Sequence, residues 1–115
     1  MNLTWTTPRE EAEALSPVLE RLRSHFMPEQ IWLFGSRGEG RGRPGSDFDL
    51  LLVMSDDAPS EHLQPAVAWH AVKDLGLPID IVPCTRSEFE EEKTELDSLP
   101  RAAMTRGRLL SVRAA

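Results

Sequence analysis

Apolar residues recur near helical spacing from Ala12 through Leu15, Leu19 and Leu22 to Phe26, a stripe that predicts an N-terminal helix. Thr7-Pro8-Arg9-Glu10 reads as its start: Thr7 can cap, Pro8 suits the first turn and Glu10 completes a capping box. Ser16-Pro17 interrupts the stripe and reads as a kink or as a fresh cap opening a second helix. The pattern stops before Met27-Pro28, because a residue preceding proline disfavours the helical region.

The periodicity then changes. Gln30-Ile31-Trp32-Leu33-Phe34 is a short run of strand formers ended by Gly35, and Asp47 to Met54 is a second. Leu51, Leu52 and Val53 imply burial on both faces at the far end of that second strand. Ser55 to Ser60 has loop composition. A helix carrying Leu63, Ala66, Val67, Ala71 and Leu75 follows, with Pro65 clouding its first turn and Gly76 suiting its end. Leu77 to Val82 is the third strand. Thr85-Arg86-Ser87-Glu88 is a capping box opening an acidic helix through Glu90-Glu91-Glu92. A last helix spans about Leu99 to Arg106, and Arg108 to Val112 is a terminal strand or a tail. Strands alternating with helices indicate an α/β or α+β domain, a small mixed sheet with flanking helices, over residues 1–115.

Composition narrows the function. With 115 residues the chain supports one modest core. No apolar run approaches the length of a membrane span, and the polar, acidic start is not a signal peptide. A lone cysteine, Cys84, excludes an internal disulfide and fits a reducing cytoplasm. Its place beside Pro83 at the end of an apolar run reads as a packed thiol. Thirteen basic against 19 acidic residues give a net charge of −6, which argues against gripping a long nucleic acid and suits a basic protein partner. A nucleotide arriving with a divalent cation needs no basic footprint.

Candidate chemistry lies in the stretch from Gly35 to Leu50. Gly35-Ser36 leaves the first strand at a corner whose outward N–H groups and hydroxyl favour an anion. Arg37, Arg41 and Arg43 in the following loop are either phosphate contacts or solvated loop residues. The loop ends at Ser46-Asp47-Phe48-Asp49-Leu50. Strand alternation points Asp47 and Asp49 one way, and Phe48 and Leu50 the other. Two adjacent carboxylates repel unless a cation lies between them, and hard oxygen ligands suit Mg²⁺ or Mn²⁺. Asp80, between Ile79 and Ile81, is a third acid on a strand whose neighbours pack the core; burying it costs several kcal/mol unless it is paired or metal-bound. Taken singly, each aspartate has a plain reading as a turn cap or a strand end.

Gly35-Ser36, Ser46-Asp47-Phe48-Asp49-Leu50 and Ile79-Asp80-Ile81 together resemble the nucleotidyltransferase superfamily of the DNA polymerase beta type. The short length and the Gly-Ser-Arg wording look most like its minimal nucleotidyltransferase (MNT) group, over a motif core of residues 31–82. The resemblance implies that Gly35 and Ser36 hold the triphosphate of ATP, with Arg37 and Ser46 beside it. It implies that Asp47, Asp49 and Asp80 bind divalent metal and that Asp80 helps activate the attacking hydroxyl. AMP would pass to an acceptor as pyrophosphate leaves. Family members of this size often pair with a helical HEPN ribonuclease toxin and act as its antitoxin, some by adenylylating a toxin tyrosine. Glu39 departs from the group's pattern, with Gly38-Glu39 standing where Ala-Arg is common, and an acid there bears on triphosphate binding. Two rival readings remain: a binding antitoxin that neutralises by complex formation, and a small-molecule transferase of the aminoglycoside type.

The remaining residues read as structural. Trp5, Trp32 and Trp69 share no spacing, so Trp32 and Trp69 are expected in core or edge packing. His25, His62 and His70 show no metal-ligand spacing. The Glu88–Glu92 run is a solvated helix face or a dock for a basic partner. The sequence contains no tyrosine and so offers no tyrosine acceptor of its own.

Overall fold

The structure is a computed structural model that describes residues 7–114, so Trp5 lies outside the described residues. Helix α1 spans Pro8–Phe26, with Thr7 Oγ accepting from the Glu10 N–H at 3.1 Å. It runs through Pro17 instead of restarting there. Ser16 and Pro17 sit on its exposed side, where water can satisfy the carbonyl that proline leaves without a donor. Met27, in the left-handed region at φ 48°, closes the helix by donating its N–H to Arg23 O.

Strands β1 (Gln30–Phe34), β2 (Phe48–Met54), β3 (Ile79–Thr85) and β4 (Arg108–Val112) form one mixed sheet in the order β3-β2-β1-β4. β1 is antiparallel to both β2 and β4, and β2 is parallel to β3. Three expected boundaries move. Asp47 stands just before β2, not within it. β3 starts later than Leu77 and continues through Pro83 and Cys84, tolerating the proline because it is an edge strand. The Arg108–Val112 segment is a paired strand, not a tail.

Helices α2 (Gly35–Gly38), α3 (Pro65–Val72), α4 (Arg86–Glu92) and α5 (Leu99–Arg106) complete the fold, with short 3₁₀ turns flanking α3. Pro65 falls in the first turn of α3, where its missing N–H has no helical partner to lose. One face of the sheet carries Ile31, Leu33, Phe48, Leu50, Leu52 and Ile81 against Leu15, Leu19 and Leu22 of α1 and Ala68 and Val72 of α3. The opposite face is thinner: Leu51 and Val53 meet Phe89 of α4 and Ala103 of α5, with Trp32, Val82 and Cys84 partly buried beside them. Six of the seven β2 residues are fully buried, and Asp49 is the exception. Asp49 and Asp80 lie on the thinner face, at the end of the sheet beyond the reach of its small core.

Candidate active site

The site is assembled where β1 ends and β2 and β3 begin. Phe34 is the β1 partner of Asp49, and Asp49 is in turn the register partner of Asp80 on β3. Parallel pairing in that register sets the Asp49 and Asp80 side chains next to one another on one face. Asp47, exposed just before β2, is near enough for its charge to act on Asp49.

Gly35 turns the chain from β1 straight into α2 at φ +70°, a conformation that L side chains rarely adopt. A methyl group there would collide with Asp49 Oδ2 and lie 3.3 Å from Asp49 Cγ. The Asp49 carboxylate therefore rests against bare backbone at the start of α2, with half-buried Ser36 next in line.

Charge confirms the grouping. Burial, then the charge of Asp80, then that of Asp47 hold the Asp49 carboxyl above its ordinary pKa. Asp80 itself is exposed, so the expectation of a buried acid on β3 is corrected. An edge strand at the open end of the thinner face leaves its carboxylate in water. Among the described residues no Lys, Arg or His forms an ion pair with any of the three aspartates.

The loop between α2 and β2 changes the roles expected for Arg37 and Ser46. Arg37 is buried, with its guanidinium 4.0 Å from the centre of the Phe48 ring. Its Nε donates to Ser46 O at 2.9 Å, one terminal nitrogen donates to Arg43 O at 2.9 Å, and the other donates to Glu11 Oε2 at 3.3 Å. Such a guanidinium ties the loop together rather than facing a triphosphate. Ser46 closes the same turn, donating its N–H to Arg43 O and accepting from the Arg43 N–H on Oγ. Glu39, the departure from the family wording, faces Arg41 at 3.0 Å and Arg106 of α5 at 3.9 Å, so its charge is compensated locally.

Sequence reasoning missed Glu11 and Arg108. Glu11 is only 2% exposed and receives Arg37 on one oxygen and Arg108 on the other. The signal was available: Glu11 lies four residues before Leu15 on the buried stripe of α1.

Elsewhere the plain readings hold. Burial and the nearby charges of Glu88 and Glu92 push the Cys84 thiol up to about 12, which makes it a packed thiol and not a nucleophile. Trp32 stacks on Phe89 and donates to Gln30 Oε1. Trp69 differs from expectation: it is exposed on α3, with Lys73 Nζ 5.5 Å from its ring centre. Glu88 completes the capping box of α4, and Glu90 pairs with Arg86 and Lys93.

A small mixed sheet, a glycine corner and three aspartates come together at one end of the fold. Residues 15–110 match the nucleotidyltransferase domain family, and the chain belongs to it. A putative nucleotidyltransferase from Sulfolobus solfataricus superposes with a TM-score of 0.52 at 20% identity, over 72% of this chain and 74% of that one. The fold is that of the polymerase beta-like nucleotidyltransferases. The cyclic dinucleotide synthase CdnE of Elizabethkingia meningoseptica, solved with GTP and Apcpp, aligns with a TM-score of 0.48 at 19% identity. That alignment covers 64% of this chain and 36% of the synthase. No curated protein matches the chain.

The aspartates fit a divalent cation in part. Among the described residues no group of three or more His, Cys, Asp or Glu is arranged to hold a metal ion by itself. Magnesium sites in phosphoryl-transfer proteins are commonly open, with one or two carboxylates and the substrate's own phosphates completing the shell. Asp49 lies against the bare backbone of Gly35, with burial and then the charges of Asp80 and Asp47 raising its pKa.

Proposed function

We propose that this protein transfers AMP from ATP, in a Mg²⁺- or Mn²⁺-dependent reaction, to a hydroxyl of a partner protein. The observation that carries the reading is the register pairing of Asp49 with Asp80, with Asp47 close enough to help raise the Asp49 pKa. Family membership supports nucleotidyl transfer as the reaction class. Asp47, Asp49 and Asp80 would hold the cation, which when bound stabilises charge on the phosphate oxygens. Gly35 and Ser36 would receive the triphosphate, the glycine because it lets a phosphate approach the backbone. The acceptor oxygen forms a bond to the α-phosphorus as the bond to the β-phosphate oxygen breaks and pyrophosphate departs. Asp80, exposed at the edge of the sheet, would take the hydroxyl proton.

The partner in this reading is a helical HEPN-type toxin, with this protein its MNT-type antitoxin in the cytoplasm. No described helix is long and apolar enough to cross a membrane. The sequence has no tyrosine, so a tyrosine acceptor must come from the partner. Incubation with Mg²⁺, labelled ATP and the product of the neighbouring reading frame should label that product. Asp49→Asn should abolish the label; no label with the native protein overturns the reading.

Neutralisation by binding alone is the second reading. It is favoured by the large apolar side chains that α5 and β4 leave exposed: Leu99 and Met104 at about 40%, and Leu109 at 44%. Asp47→Ala combined with Asp49→Ala separates the two. Protection of cells by the double variant supports binding, and its loss supports transfer.

A further inference from the structure

We infer that Arg37, held by Glu11, is a positioning residue for Asp47, so that the cation site is organised from helix α1, outside the motif core. The inference rests on the reading that the aspartates hold a divalent cation.

Arg37 Nε donates to the carbonyl of Ser46, which belongs to the peptide bond leading into Asp47. The same guanidinium lies over the ring of Phe48, the residue after Asp47, and also holds Arg43 O. Asp47 is thus bracketed on both sides by contacts to one side chain. It has no strand pairing of its own, because β2 begins at Phe48. What orients Asp47 is the Arg37 fork, whose planar, multiply donating geometry a lysine cannot reproduce.

Glu11 holds the fork from beneath. One of its oxygens accepts from Arg37 at 3.3 Å and the other from Arg108 of β4, which also donates to Arg37 O at 3.3 Å. Gly42 shows independently how tightly the loop is laid over this pair. A methyl group there would run into Arg37 Cγ and stand 2.9 Å from Glu11 Oε2. The loop therefore needs a residue without a side chain where it crosses the ion pair. By contrast, Asp80 sits on β3 and shares none of these contacts, being oriented by strand pairing with Asp49.

The test is a binding cycle on the full chain, reading the dissociation constant of Mn²⁺–ATP by calorimetry alongside the melting temperature. Arg37→Gln should weaken Mn²⁺–ATP about tenfold, the usual order for a residue that orients a metal ligand. Glu11→Gln should weaken it in the same direction, by less. Asp47→Asn added to Arg37→Gln should then cost little more, whereas Asp80→Asn added to it should keep its full effect. Arg37→Lys should fail to rescue. Full additivity with Asp47→Asn, or an unchanged dissociation constant with a lowered melting temperature, overturns the inference and leaves a purely structural tie. Should Arg37→Gln not fold, Gly42→Ala displaces the same fork from the loop side and must weaken Mn²⁺–ATP for the inference to stand. Asp49→Asn is the control: if it leaves Mn²⁺–ATP binding untouched, the cation reading itself fails, whatever Arg37 does.

Discussion

Two groups of acids sit at the two sides of one short loop, and the fold treats them in opposite ways. Glu11 is buried beneath the loop with a guanidinium on each oxygen. Asp47, Asp49 and Asp80 gather beyond its end with no basic side chain among the described residues bonded to them, and burial, then Asp80, then Asp47 raise the pKa of Asp49, the most buried member. A carboxylate that serves the fold comes with its counter-charges, because an unpaired buried charge costs several kcal/mol. Asp47 and Asp80 are exposed and Asp49 half-buried, so water can bear the charges that no basic side chain meets; in the proposed reading a cation from outside the chain would do so. The contrast separates an acid that ties the fold together from the acids proposed to act in the site.

The sharpest way to break that contrast is to remove the supporting acid. Glu11→Ala leaves Arg37 buried without its carboxylate and should lower unfolding free energy by about 3–5 kcal/mol, measured by urea denaturation. Glu11→Leu with Arg37→Met should cost less than either single truncation, since the two buried charges leave together and Arg108, the third, is partly exposed to water. A loss below about 1 kcal/mol for Glu11→Ala would place Glu11 among surface-type pairs and dissolve the distinction.

Asp49→Asn should do the reverse: nucleotidyl transfer falls at least about a hundredfold, and the fold survives. Pyrophosphate release with Mg²⁺, ATP and the partner protein is the measurement. Activity within a few-fold of the native protein would make the aspartate group structural as well.

How far the sequence disclosed this contrast depended on whether a signal was local. β1, β2 and the three aspartates were legible because apolar runs and the spacing of Asp47 and Asp49 are properties of adjacent residues. Pairing of Asp49 with Asp80 was not, because strand register is set by the whole sheet. Arg37 stands in a glycine-rich loop after a Gly-Ser corner, which leaves a phosphate contact and a solvated loop residue equally open and gives no hint of burial. Its actual partner, Glu11, lies 26 residues earlier on a different element. At Pro17 the sequence leaves a kink and a restart open, and the packing of Leu15, Val18, Leu19 and Leu22 on either side keeps one helix running through it. Asp80 was expected inside because Ile79 and Ile81 flank it, but alternation sends those isoleucines to the thick face and the acid to the open end of the thin one.

Gly35→Ala probes the join between the two regions at smaller scale. The left-handed backbone alone should cost about 1–2 kcal/mol, and the methyl group must also displace the Asp49 carboxylate. Transfer should therefore fall by more than the stability loss accounts for. If Gly35→Ala and Gly76→Ala, also at positive φ but with open space around it, lose activity equally, closeness to Asp49 plays no part.

The smallest effect is the most diagnostic of what the aspartates await. Asp49 has a folded-state pKa raised above its ordinary 3.8, mainly by burial and then by Asp80 and Asp47. Between the unfolded and folded values the native state holds more protons than the unfolded one, so stability falls as pH rises through that window. Above the raised pKa the full penalty applies, and below 3.8 it vanishes. Asp49→Asn should therefore raise the melting temperature slightly at neutral pH, by a few degrees at most, with the gain disappearing in acid. Mg²⁺ or Mn²⁺ should raise the melting temperature of the native protein, because a ligand that binds only the folded state stabilises it, and should do so less for Asp49→Asn. An aspartate that belonged with Glu11 would behave oppositely: its removal would destabilise at neutral pH, and added cation would change nothing.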